Sequence, residues 1–289
     1  MKNSCPVCNG ILAPGIQAWH FECTTCCYEK GNLQPTINDS SSHELINETE
    51  REIGLREIRV SNFNKLLGVI SKLQPTGGKL VDVGCAHGWF VEAAMMKFDV
   101  LGIEPDEVVF KSTAAKGLPV RRGYFPDALE RFETFDVVVF NDVIEHIPDI
   151  DNVLTACHER LNEGGLLVLN LPSSAGIFYR LSRLFCRIGK LGFFERLWQK
   201  DLPSPHVHYF NSKNLSDLLK NRNFAVIKSG TLPTLGLEGL YTRISYTGKL
   251  GTISKVLIYC TIATALPILR LLPSDIIYVV AKKIRPGRY

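Results

Sequence analysis

No apolar run opens the chain: Met1-Lys2 is followed by Asn-Ser-Cys-Pro, which lacks the hydrophobic stretch of a secretory signal and sets a cytoplasmic expectation. Nor does the most apolar segment, Val256 to Leu269, reach the roughly twenty residues that a helix needs to cross a bilayer. It holds fourteen uncharged residues between Lys255 and Arg270 and is broken by Pro267, so an in-plane or re-entrant contact is expected rather than a span. The G-x-G-x-x-G dinucleotide fingerprint is also missing, because the glycine-rich turn at 84 to 88 reads G-C-A-H-G.

Net charge is small, +4, but unevenly placed. Residues 176 to 200 sum to +5 and residues 249 to 289 to +6, leaving −7 on the remainder. Two basic regions on an acidic body point to an anionic partner such as lipid headgroups, phosphates or nucleic acid. At 289 residues and 45% hydrophobic content, the chain can hold one large domain with a small appendage.

Cys5-Pro-Val-Cys8 and Cys23-Thr-Thr-Cys26 are two CxxC pairs with fourteen residues between them. Each pair can present two thiolates to one ion from a tight turn, and the residues between suffice for a β-hairpin. The spacing predicts a structural Zn²⁺ ribbon over residues 1–30 with Cys5, Cys8, Cys23 and Cys26 as ligands. Two disulfides in an oxidising compartment are the alternative. Cys27 could replace Cys26, although the two-residue gap favours Cys26.

A polar, turn-rich linker is expected over 31–42, followed by amphipathic helix from His43 to Leu73 with apolar stripes that include Leu45, Ile46, Ile53, Leu55, Ile58, Phe63, Leu66 and Ile70. From Lys79 the apolar runs alternate as strand and helix. Strands are predicted at 79–83, 100–103, 119–121, 135–140 and 166–171, with helices near 88–97, 106–116 and 151–161. That alternation predicts a parallel sheet covered on both faces, with ligands at the carboxyl ends of its strands. Glu104 ends the second strand, where an acid can accept the two hydroxyls of a ribose.

The stretch DVGCAHG at 82 to 88 resembles motif I of the class I S-adenosylmethionine (SAM) methyltransferases, D-x-G-x-G-x-G, with Ala86 in place of the middle glycine. GIEPD at 102 to 106, FDVVVFNDVIEHIPD at 135 to 149 and LNEGGLLVLNLPS at 161 to 173 continue the resemblance in order, across roughly residues 77 to 230. It implies an α/β, Rossmann-like fold with a seven-stranded, mostly parallel sheet. A last strand at 275–281 would insert antiparallel, leaving 224–229 at the edge. The catalytic domain would run over 43–289, with insertions at 173–205 as a cap and at 232–274 as a hydrophobic segment able to contact a membrane.

By position in those motifs, Gly84, Ala86 and Gly88 would let backbone pass the methionine part of SAM, and Asp82 would brace the turn or meet the amino group. Glu104 would take the ribose, and Asn141-Asp142 would face the sulfonium. Asp127 is the candidate for the adenine amine, with Phe125 stacking on the ring or Asp127 capping a helix as alternatives. In the resembled family, helices before the first strand cover the cofactor; helices that only pack on the sheet fit the residues equally.

Asp142, Glu145 and His146 fall at spacings that share one helical face and resemble the acid-x-x-Glu-His block of ubiquinone-biosynthesis O-methyltransferases. Three roles compete: His146 as general base with Glu145 beside it, a divalent-cation site at Asp142/Glu145/His146, and a hydrogen-bond cluster supporting the cofactor loop. The HVHYFNSKNL block at 206 to 215 resembles the family's His-x-x-x-Phe-x-x-x-x-Leu run, in which His206 or His208 could take the acceptor's proton. The proline run that holds exocyclic amines in many base-modifying N-methyltransferases is absent after Asn141.

Arg180, Arg183, Arg187 and Lys190 make a basic stripe beside Leu181, Leu184, Phe185, Ile188 and Leu191. That pattern is a basic amphipathic helix for an anionic membrane or a phosphorylated acceptor, or a cap packed on the domain. The expectation is a cytoplasmic, membrane-peripheral O-methyltransferase acting on a sugar, glycan or lipid-linked small-molecule acceptor. A zinc-finger RNA methyltransferase and a non-catalytic zinc-bearing adaptor are the rival readings, and nucleic acid is the less favoured partner.

Overall fold

In a computed structural model of the protein, residues 4–36, 48–237, 239–246 and 251–285 are described. The linker from 37 to 42, the apolar positions Leu45 and Ile46, the Ile53 side chain and the end of the basic tail, 286–289, lie outside them.

Three short strands, β1 (Leu12–Pro14), β2 (His20–Cys23) and β3 (Glu29–Gly31), form an antiparallel hairpin sheet around the four cysteines. After it comes α1 (Glu48–Leu73), which buries Ile58, Phe63, Leu66 and Ile70 along one stripe and ends before Pro75. The alternating unit runs β4 (Lys79–Val83), α2 (Trp89–Ala94), β5 (Asp99–Glu104), α3 (Glu107–Ala114), β6 (Val120–Arg122) and β7 (Phe135–Asn141). A 3-10 turn at Ile144–His146 then leads to α4 (Ile150–Arg160) and β8 (Leu161–Pro172). Side chains cap the helix starts: Asp106 accepts from the N–H groups of Val108 and Val109, and Asp149 from that of Asn152.

The region after β8 is two helices, α5 (Ile177–Cys186) and α6 (Gly192–Leu197), so the basic amphipathic helix expected from Arg180 to Leu191 stops at Cys186, before Arg187 and Lys190. The break at Gly189, which takes φ 77°, separates them. Next come β9 (His208–Tyr209), α7 (Ser212–Lys220), β10 (Phe224–Leu232), α8 (Leu240–Tyr246), α9 (Thr252–Leu269) and β11 (Ile276–Lys283). Asn211 caps α7 in a reciprocal capping box with Asn214. Pro267 does not break α9; it sits in the last turn, and the helix runs to 18 residues.

The large sheet has the order β10-β11-β8-β7-β4-β5-β6, with β11 antiparallel to both neighbours and the other pairs parallel. The central strands are buried on both faces, which is why β7 reads as the near-continuous apolar run FDVVVFN. One core packs α1 and α2 on a face, around Phe63, Leu66, Phe90 and Trp89. The opposite core joins α4 and α7 to Cys5, Val7 and Tyr28 of the cysteine ribbon.

That continuity is structural: β3 pairs with β9, so the ribbon and a segment of the catalytic domain form one four-stranded sheet. Asn214 and Asn221 of α7 and its flank donate to the carbonyls of Cys26 and Val7. At the other side of the ribbon, Glu29 is 2% exposed and holds three elements together. Its carboxylate accepts from His20 Nε2 at 2.7 Å, from the Tyr179 hydroxyl and from Arg183 Nη1 at 2.9 Å. Arg183 also reaches Glu22 at 2.7 Å. It is therefore turned inward onto the ribbon and does not belong to an outward basic stripe, whereas Arg180, Arg187 and Lys190 are exposed.

Removing one member of a buried ion pair leaves the other charge without compensation. Arg183→Met is expected to lower stability by about 2 kcal/mol, below the usual cost of a fully buried pair because the arginine is partly solvated. Urea denaturation followed by tryptophan fluorescence measures it, and adding Glu29→Gln should recover part of the loss.

Candidate active site

The cleft of about 410 Å³ opens at the carboxyl ends of β4, β5 and β7. Its floor is the turn after β4. Gly84 takes φ 69°, and a Cβ there would lie 2.6 Å from Val143 Cγ2, so the position excludes any side chain. Gly88, φ 77°, is closed in the same way by Leu118 and Thr113. Ala86 replaces the expected glycine and holds a left-handed φ of 44°. Two bonds fix it: its N–H donates to Glu104 Oε2 at 2.8 Å and its carbonyl accepts from Thr113 Oγ1 at 2.7 Å. Such anchoring is what lets a non-glycine residue stay in this region.

Glu104 thus ties the turn to the end of β5. Its other oxygen accepts the Asp106 N–H at 2.9 Å, and the residue is buried yet lines the cleft. Asp82 lies behind the surface and is not among the lining residues; its Oδ1 accepts from Asn141 Nδ2 at 3.1 Å. Burial pushes Asp82 up to about 8, against the Asn141 bond and helped by the Glu104 charge. Its bond ties β4 to the end of β7 through Asn141, which does face the cleft.

Asp127 is exposed and outside the lining, while Gly123, Tyr124 and Phe125 from the same loop line it. The expected helix that Asp127 would cap is a turn. Trp89, Val109 and Phe125 give the nucleoside side of the cleft its apolar walls. Leu55 and Arg59 bring α1 over the mouth, so the helix before the first strand covers the cleft as well as packing on the sheet.

At the other end the structure regroups the expected acid-Glu-His block. Asp142 takes φ 54° and is not on the 3-10 turn; it pairs with Arg59 at 3.6 Å. The turn itself carries Glu145 and His146, and the β9 segment brings His206 to them, the three offering ligand atoms within 4.8 Å of one another. His206 therefore takes the place that the sequence spacing gave to Asp142. The His146 and His206 rings lie 4.7 Å apart. His146 Nδ1 donates to the Pro205 carbonyl at 3.0 Å, which makes Nε2 the basic nitrogen, 3.9 Å from Glu145 Oε1. His146 lines the cleft; His206 is buried behind it and takes a bond from the Gln199 amide at 2.9 Å. Among the described residues neither Glu145 oxygen has a hydrogen-bond partner, and burial, with the Asp142 charge, holds its carboxyl well above the usual range.

His208 is not in this group. Its Nε2 donates to the Ile147 carbonyl at 2.9 Å and its Nδ1 accepts from the Tyr28 hydroxyl of the ribbon. Burial pulls it down to about 4, so it is a neutral bolt between ribbon and site. Pro35, Gln199, Leu202, Pro203 and Ser204 complete the acceptor wall. Nothing in their residue types marks them in advance, since each reaches the cleft only through the ribbon and cap.

A family model described as a methyltransferase domain matches residues 55–229. The chain belongs to this methyltransferase family. It is a class I SAM-dependent methyltransferase, and its sheet order and cleft follow from that fold. The chain is 38% identical over 102 residues to the ubiquinone biosynthesis O-methyltransferase of Sinorhizobium medicae, covering 32% of this chain and 41% of that protein. The mitochondrial human protein of the same name is 32% identical over 137 residues, 42% of this chain and 37% of its own. The matched stretch thus spans about two fifths of these relatives. Among solved structures, Haemonchus contortus phosphoethanolamine N-methyltransferase 2, solved with S-adenosylhomocysteine, superposes with a TM-score of 0.57 at 18% identity over 84% of this chain and 59% of that one. A Thermotoga maritima SAM-dependent methyltransferase, described as a possible histamine N-methyltransferase, gives 0.54 at 17% identity over 83% and 97%.

The cleft fits SAM on its own terms: Gly84, where no side chain can stand, and Ala86 line its floor, and the buried carboxylate of Glu104 lines it beside them, while Gly88 lies outside the lining with its α-carbon against Leu118 and Thr113. The methyltransferase's four N-terminal thiols are likewise suited to one tetrahedral ion. Cys5 and Cys26 sulfurs lie 3.6 Å apart and those of Cys8 and Cys23 3.5 Å apart. Zinc bound to four thiolates spaces its sulfurs by about 3.8 Å. Cys27 is exposed and outside that group, and all nine cysteines are free thiols.

Two expectations follow. Glu104→Ala should weaken SAM binding by roughly 50-fold, the worth of charge-assisted bonds to two hydroxyls, in calorimetry on a variant that unfolds cooperatively. The depressed His208 sets a pH dependence with a defined sign. Below about 6.5 the unfolded chain takes up a proton that the native one refuses, so stability falls as pH drops from there towards about 4, by roughly 3 kcal/mol in all. Denaturation midpoints across that range should show the slope, and His208→Gln should flatten it.

Proposed function

We propose that this methyltransferase transfers the methyl group to a hydroxyl, on a sugar or a lipid-linked small molecule, with His146 as the general base. One observation carries the reading: the cleft-lining histidine has its Nδ1–H committed to the Pro205 carbonyl, so Nε2 is the nitrogen able to receive a proton. Bound SAM supplies an electrophilic methyl group on a sulfonium. The chain's task is then to align the hydroxyl oxygen behind that carbon and to take its proton as the oxygen–carbon bond forms and the carbon–sulfur bond breaks. Pro203 and Ser204 from the cap, with Ile147 and Pro148 beside His146, wall the acceptor end and limit water there. The names of the O-methyltransferase relatives support oxygen as the accepting atom.

A divalent cation is the second reading, favoured by the unpartnered Glu145 carboxylate against His146 and His206. It would lower the acceptor's pKa in place of a base. Structural zinc at Cys5, Cys8, Cys23 and Cys26 belongs to the proposal as well. Burial raises the Cys5 thiol to about 11 and Cys26 further still, so a cation is what would let all four ionise together.

Incubation with labelled SAM and fractionated extract is expected to place label in a polysaccharide or lipid fraction. Label confined to RNA or protein overturns the acceptor assignment. With the acceptor in hand, His146→Ala should lower kcat by about 10² to 10⁴-fold with SAM affinity unchanged. Loss of activity in EDTA, restored by Mg²⁺ and accompanied by equal sensitivity of Glu145→Gln, would establish the cation instead.

A further inference from the structure

We infer that α9 is a membrane-docking element, lying in the plane of an anionic bilayer and flanked by Lys255 and Arg270 at the headgroups. The proposal is independent of the acceptor assigned above. Its starting point is an imbalance between composition and packing. Over Thr252–Leu269 the mean hydropathy is 1.7, yet only 6% of the helix is buried in the protein. Ile253, Val256, Leu257 and Ile268 are all exposed, and Leu271 and Leu272 extend the patch. A helix that is apolar all round requires a cover of core or lipid.

The two hydroxyls in its central turns need no water. Thr261 Oγ1 donates to the Leu257 carbonyl and Thr264 Oγ1 to that of Cys260, each at 2.8 Å, so both are satisfied inside the helix. That is the condition hydrocarbon imposes. The ends exclude a span despite the sufficient length. The helix follows α8, whose Leu240 and Ile244 are buried and which packs on α1. It leads into Pro273, whose carbonyl accepts the Ile177 N–H, and Ser274, whose hydroxyl donates to the Leu232 carbonyl. With both ends attached to one body, the helix lies along the surface.

Charge selects the occupant. No acid occurs from Thr252 to Leu272, and Lys255 and Arg270 stand one at each end. In an antiparallel pairing with a second copy of the chain, these cations would oppose one another at both ends of the seam; anionic headgroups would neutralise them. The Ile177–Pro273 bond also joins the end of α9 to the start of α5, where Arg180, Leu181 and Leu184 are exposed.

Flotation of the full-length protein with vesicles tests this. Binding is expected to phosphatidylcholine vesicles that contain phosphatidylglycerol, weaker with phosphatidylcholine alone and weakened by salt. Lys255→Gln with Arg270→Gln should lower partitioning by about thirtyfold, at about fivefold per cation removed. Ile253→Glu with Leu257→Glu, both at exposed positions, should abolish it while SAM binding in calorimetry stays as in the parent. Failure to bind vesicles overturns the proposal, and so does a concentration-dependent dimer in light scattering that this apolar pair disperses. SAM binding and methyl transfer are read separately, so neither result bears on the acceptor.

Discussion

A single buried carboxylate sets the arrangement of this molecule. Glu29 sits at the junction of ribbon, cap and catalytic domain, and a charge there is tolerable only if every oxygen is held by donors. The three donors come from two places in the chain: His20 in the ribbon, and Tyr179 and Arg183 in α5. Around them Trp19, Phe194, Trp198 and Tyr209 exclude water, and Trp198 donates to the Tyr179 hydroxyl at 3.2 Å. Once this contact forms, β3 is fixed against β9, and the segment on either side of β9 has little freedom left.

That segment is also the acceptor wall. Val207 N–H donates to the Glu145 carbonyl, Gly31 N–H to the Val207 carbonyl, and Pro205 holds the His146 ring. The ribbon is therefore two steps from the His146 imidazole that lines the cleft: one ladder of backbone bonds and one carbonyl. A small cysteine module built only for docking elsewhere has no reason to share a sheet with such residues. Here it supplies rigidity where the catalytic domain alone has a long, irregular connection, from β8 to α7.

The sheet was legible because each central strand is buried on both faces and so reads as an apolar block. The antiparallel insertion of β11 was legible from the family resemblance, which fixed its place between β8 and β10. The turn after β4 was legible at Gly84 and Gly88 for a steric reason: both take a left-handed backbone, and a Cβ at either would meet a neighbouring side chain. Other features were hidden. The inward turn of Arg183 depends on a partner, Glu29, 154 residues away, and periodicity alone makes that arginine part of an outward stripe. Asp142 shares helical spacing with Glu145 and His146, but its left-handed backbone takes it off the turn, and an arginine in α1 captures it. His206 enters the cluster through strand pairing, which no local pattern reports. Arg59, Pro35 and the 199–204 loop were invisible for the same reason.

The position of β11 has a consequence for biosynthesis. The strand fills an interior slot of the sheet, yet it is made after both of the strands it lies between. Until residues 276–283 emerge, β8 has a bare edge and β10 has no neighbour at all. The exposed helix α9 has by then already been made. During translation the nascent polypeptide therefore presents an unpaired strand edge beside a water-averse helix, the two features that chaperones and lipid surfaces shield, and the sheet can close only once β11 has been made.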